Sequence, residues 1–110
     1  MSDLQEIEIS IEKAKELIKK KEVCERLLAN KDYKEIIKEG FFEKNAARLV
    51  RLRSDITLDE QERAAVLRDI DGTGTLIGYI HMILAMGESA ENSLSEKEAV
   101  REEIAAEELN

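Results

Sequence analysis

Proline and tryptophan are absent from this chain, and cysteine, histidine and aromatic residues are scarce. Without proline no position is barred from a helix interior, and abundant Glu, Lys, Leu, Ile and Ala favour helices over a sheet. The one cysteine, Cys24, excludes an intrachain disulfide framework and suits a reducing, intracellular compartment. One histidine, His81, with one cysteine falls short of the three or four ligands of a zinc site. No apolar run approaches the roughly 20 residues that span a bilayer, and the opening MSDLQEIEIS lacks the apolar core of a signal peptide. Basic charge is also short, with 17 Lys and Arg against 25 Asp and Glu and a net charge of −8. That balance argues against a nucleic-acid partner, which needs a basic stripe, and against docking on an anionic membrane.

What is present is helical periodicity. Residues 3 to 29 read as one long helix: Leu4, Ile7, Ile11, Ala14 and Ile18 keep three-four spacing, then Leu17, Cys24, Leu27 and Leu28 take over. Lys13, Lys15, Lys19, Lys20 and Lys21 interleave with Glu12, Glu16 and Glu22, which predicts a solvated face. Asn30 can close this helix in a left-handed turn, and Asp32 offers the next N-cap with Glu35 as its capping-box partner. The short helix DYKEIIKE is expected to stop at Gly40. Tyr33, Ile36, Ile37, Phe41 and Phe42 form the densest apolar cluster, and this hairpin is expected to anchor the core. A further helix over about 42 to 53 should bury Phe42, Ala46, Leu49 and Val50, with Leu52 beside them. Arg48, Arg51 and Arg53 should project from it and pair with acidic neighbours.

Thr57 and Glu60 read as a second capping box, opening the helix that carries the glycines. After Gly87 eight glutamates face only Lys97 and Arg101, and Leu94, Val100 and Ile104 leave a thin apolar stripe. Ser93 with Glu96, or Ser95 with Glu98, could cap a final acidic helix. The expected division is a helical core domain over 1–92 and an acidic C-terminal helix or tail over 93–110.

The stretch D-I-D-G-T-G-T, starting at Asp69, resembles the opening of an EF-hand calcium loop. Ile80 stands where that loop needs a bidentate Glu. A phosphate loop needs Lys after the glycines and a strand before them, and neither is present. A continuous helix accounts for more. Val66 or Leu67, Ile70, Thr73 or Gly74, Ile77, Ile80 or His81, and Leu84 keep their phase across the glycines. Gly74 and Gly78 then lie one turn apart, with His81 and Ala85 beyond, as a groove where another helix can pack. No nucleophile is set beside His81, so neither a catalytic site nor a cofactor site is expected.

The segments RLLANKDYKEIIKEGFFEKNAARLVRLRSD and AAVLRDIDGTGTLIGYIHMILAMGESAENSL resemble a group of small helical proteins of tailed bacteriophages. Those proteins are encoded among virion-morphogenesis genes, near portal, scaffold or head proteins. The likeness covers about residues 25 to 95 and rests on spacing: a leucine pair, Gly-aromatic and Arg-Leu-Val. It implies a non-enzymatic protein of the virion or host cytoplasm, and it carries no catalytic residues.

The resulting expectation is an all-α chain, an elongated bundle of about five helices: two long helices, a short helical hairpin between them and the acidic C-terminal helix. Large apolar residues are too few for a thick monomeric core, so homo-oligomers built through the long helices are expected. The functional expectation is a phage structural or assembly protein acting through protein–protein contacts. The alternative is a small acidic inhibitor or adaptor that engages a basic host protein surface by mimicking the charge of DNA.

Overall fold

A computed structural model describes residues 2–110, which are all-helical with no strand among them. There are three continuous helical runs rather than about five: the first helix Asp3–Ala29, the second over residues 31–53 and the third Glu60–Leu109. The expected breaks at Gly40 and near residue 93 do not form.

The first helix opens on a reciprocal capping box. The Gln5 N–H donates to Ser2 Oγ at 3.2 Å, and the Ser2 N–H donates to Gln5 Oε1 at 3.1 Å. Asn30 separates the first two helices, but its backbone is extended (φ −66°, ψ 130°) rather than left-handed. Its Oδ1 accepts the Tyr33 N–H at 3.0 Å. Asn30 is therefore the N-cap expected at Asp32, which already lies inside the first turn.

The second helix begins with one α turn (Lys31–Tyr33), runs as a twelve-residue π-helix (Lys34–Asn45) and finishes as α-helix (Ala46–Arg53). Such i→i+5 coiling usually appears as single turns. Gly40 was expected to end a helix in the left-handed region, but no described residue has positive φ. The wider coil carries Gly40 through, and a Cβ there would lie 3.3 Å from the Glu35 carbonyl oxygen.

Residues 54–59 connect the second helix to the third. Asp55 Oδ1 accepts the Thr57 N–H (2.9 Å) and the Thr57 hydroxyl (2.7 Å), so Thr57 is spent inside the turn instead of capping. The cap is Asp59, whose Oδ1 accepts the Glu62 N–H at 2.8 Å. Arg63 closes the turn from below, donating to the carbonyls of Arg53 (3.2 Å) and Asp55 (3.4 Å). The third helix then runs 50 residues without interruption. Extending an existing helix through residues 87–95 adds a bond per residue, whereas a new helix would need a new nucleus.

The chain divides into two compact units, one built from the segment up to Glu25 with Met82–Asn110, the other from Arg26–His81. In the first unit the two helical segments run antiparallel. Lys21 meets Glu91 at one end, while Asp3, Ile7, Val100 and Ile104 line a common cleft at the other. Ile11 and Ala14 are buried here, with Cys24, Gly87 and Ala90. Small residues at the seam let the backbones approach closely. In the second unit the buried residues are Leu49, Val66 and Thr73.

The apolar cluster lies along one continuous helix rather than in a hairpin. None of Tyr33, Ile36, Ile37, Phe41 and Phe42 is buried, and Ile36 is 65% exposed. Phe41 and Phe42 lie against each other, ring centroids 5.7 Å apart. Of the residues expected to be buried after them, only Leu49 is, whereas Val50 is exposed. The physical reason is that one helix offers the other a strip about one face wide, and Leu49, Val66 and Thr73 occupy it.

Candidate protein interface

Asp71 and Glu88 bracket sixteen residues of the third helix that carry no formal charge, Gly72 to Gly87. A helix that is apolar all round is ordinarily covered all round. Within the second unit this stretch is covered on one side only. Thr73 is buried and Ile77 and Ile80 are half-buried, while Gly72, Gly74, Leu76, Gly78, Tyr79 and His81 are exposed.

The backbone stays helical through D-I-D-G-T-G-T, so the loop that would gather carboxylates around an ion is not formed. The Thr73 hydroxyl donates to the Asp69 carbonyl and the Thr75 hydroxyl to the Asp71 carbonyl, both at 2.9 Å. These i−4 bonds tie the two threonines to the helix wall. Among the described residues no group of three or more His, Cys, Asp or Glu lies close enough to hold a metal ion.

Gly74, Gly78, His81 and Ala85 share one face of the helix by their spacing, and all four are exposed. A Cβ added at Gly72, Gly74 or Gly78 would meet no atom within 4 Å beyond the helix's own backbone. The one glycine that is closed over is Gly87, which the sequence marks only as the end of the apolar stretch. A Cβ there would overlap Lys21 Cβ and fall 2.9 Å from its Cγ and Cδ. The small-residue spacing of Gly87 and Ala90 was the available signal for that seam.

The electrostatics separate the two units. The first holds fifteen acidic and seven basic residues, the second ten of each, so the first unit carries the whole net charge. The lysine head of Lys21 bonds Glu91, and that bond, reinforced by Glu25 and Glu88, raises the Lys21 pKa above its ordinary value. The Asp55 carboxyl lies below its ordinary value because it accepts both Thr57 donors, and the Asp59 carboxyl because it accepts the Glu62 N–H. Arg48 does not turn to an acidic neighbour as expected. Its Nε and Nη2 donate to Asn45 Oδ1 at 3.1 and 2.8 Å.

A depression of about 350 Å³ lies between Phe41 and Asn45 of the second helix and Arg68, Asp69, Gly72 and Thr73 of the third. Arg68 and Asp69 on its rim are exposed. Cys24 is a free, buried thiol in the first unit. Among the described residues no helix is long and apolar enough to cross a membrane. No family model matches the chain, and no curated protein or solved structure matches it either.

Proposed function

We propose that this chain is a non-enzymatic structural or assembly protein of a tailed phage, working through protein–protein contacts. The observation that carries the reading is the uncharged stretch of the third helix, in which Gly74, Leu76, Gly78 and Tyr79 are all exposed. Its resemblance to small helical proteins of virion morphogenesis supplies the setting. The test is to disrupt the gene in an infecting phage and follow the tagged chain through particle purification. The chain is expected to travel with virions or assembly intermediates, and its loss to lower the yield of complete particles. Normal particles from the disrupted phage, with the chain found in no particle fraction, would sink the reading.

A second reading is favoured by the concentration of the net charge in the first unit. It makes the chain a small acidic adaptor on a basic host surface. Glu102, Glu103, Glu107 and Glu108 are all exposed. Replacing them with Gln should then abolish host binding, and binding that survives would sink this second reading.

A further inference from the structure

We propose that the first unit holds a binding site for a small phosphomonoester, in the cleft that Lys13 lines from the first helix and Lys97 from the third. The site is independent of the assembly reading and uses other residues.

The first argument is charge. The unit holds fifteen acidic and seven basic residues, yet this cleft is lined by two lysines and no carboxylate. Among the described residues neither lysine is paired with a carboxylate or hydrogen-bonded to another side chain. Lys21, by contrast, is engaged by Glu91. Two unpaired ammonium groups on one cleft attract a dianion more strongly than a monoanion. A phosphomonoester carries about −1.5 to −2 charges at pH 7.

The second argument is the donor set. Ser10 on the first helix, with Ser89 and Ser93 on the third, lines the same cleft. Ser89, Ser93 and Lys97 follow at four-residue steps, which sets them along one face of the third helix. The Ser93 hydroxyl donates to the Ala90 carbonyl at 3.3 Å, whereas the Ser10 and Ser89 hydroxyls make no side-chain bond of this kind. Each ammonium offers three donors and each hydroxyl one. That supply exceeds what the two oxygens of a carboxylate can use, and it suits the three terminal oxygens of a phosphate ester.

The third argument is room. Ala14 and Ala90 are buried, and with their short side chains in its lining the cleft holds about 260 Å³. At about 30 Å³ per liquid water that is space for roughly eight molecules, enough for a phosphate group with a few carbons attached. Leu17 and Met86 complete the lining with apolar surface on which those carbons can rest. None of the three serines and two lysines is buried, so an anion reaches them from solvent.

The test is a nitrogen-15 NMR titration of the full chain at neutral pH and constant ionic strength. The probes are phenyl phosphate, inorganic phosphate and acetate. Phenyl phosphate is expected to give saturable shifts centred on the amides of Ser10, Ser89 and Ser93, with a Kd of about 1 mM. Inorganic phosphate should bind the same residues more weakly, because it leaves Leu17 and Met86 uncovered. Acetate should bind at least about tenfold more weakly than phenyl phosphate. Lys13→Gln and Lys97→Gln should each weaken phenyl phosphate at least about tenfold. Lys15→Gln, at an exposed lysine outside the cleft, should leave it unchanged. Circular dichroism should show all three variants as helical as wild type, since none of these lysines is buried. Shifts that never saturate, acetate bound as tightly as phenyl phosphate, or equal losses from Lys15→Gln and Lys97→Gln would overturn the site. Inorganic phosphate bound more tightly than phenyl phosphate would overturn the assignment to an ester.

Discussion

The Lys21 ammonium donates to Glu91 Oε1 at 2.8 Å, and the stem of the same side chain lies over Gly87, one turn before that glutamate on the third helix. One lysine thus closes the first unit twice, by its apolar stem against a bare backbone and by its charged head against a carboxylate. The pair is seventy residues apart in sequence.

Replacing Gly87 with alanine forces its new methyl into Lys21 Cβ. The expected loss is about 1–3 kcal/mol, the usual cost of overpacking, against the gain in helix propensity that alanine normally brings. Urea denaturation measures it. Lys21→Ala keeps the Cβ and should not rescue the variant, whereas Lys21→Gly should rescue it in part.

Gly72→Ala should act in the opposite sense. Nothing lies within 4 Å of its would-be Cβ, and the residue sits mid-helix. A gain of about 1 kcal/mol is expected from helix propensity alone. A thermal melt of the variant below that of wild type would contradict the helical reading of this stretch.

Asn30 and Asp32 separate two accounts of how the second helix starts. Asn30→Ala removes the acceptor for the Tyr33 N–H and should cost about 1 kcal/mol. Asp32→Ala should change stability far less, which equilibrium denaturation of the two variants can compare.

The pH dependence has two edges. Asp55 and Asp59 have lowered values, so their contribution is present above the ordinary carboxylate value of 3.8 and is lost as pH falls below it. Lys21 has a raised value, so its contribution is full below 10.5 and is lost as pH climbs past it. Chemical denaturation between pH 2 and 12 should show stability falling at both ends. Asp59→Asn retains a capping oxygen and should flatten the acid edge, and Lys21→Met should flatten the alkaline one.

Much of the helical structure could be read from local pattern. Apolar spacing predicts the helix across Gly72, Gly74 and Gly78, since its phase is unbroken there, and the backbone remains helical. The first helix was equally legible from Leu4 to Leu28. Helix ends were harder. Thr57 and Asp59 are both good caps two residues apart, and the choice went to Asp59 because Asp55 engages both Thr57 donors. Gly40 permits a helix stop without requiring one, and the π coil passed through it.

The cluster of Tyr33, Ile36, Ile37, Phe41 and Phe42 shows why apolar density did not locate the core. Burial depends on a facing surface, and in this chain that surface falls on Ile11, Ala14 and Ala90 in one unit and on Leu49 and Val66 in the other.

Local sequence was enough to decide that the chain is helical, where the charge lies and that Gly72 to Gly87 carries none, because propensity, periodicity and charge act over a few neighbouring residues. Folding in three dimensions decided which glycine is covered, which caps hold and which side of the uncharged helix is left bare. Those outcomes depend on residues far apart in the chain, as Lys21 is from Gly87, and no spacing rule encodes their approach.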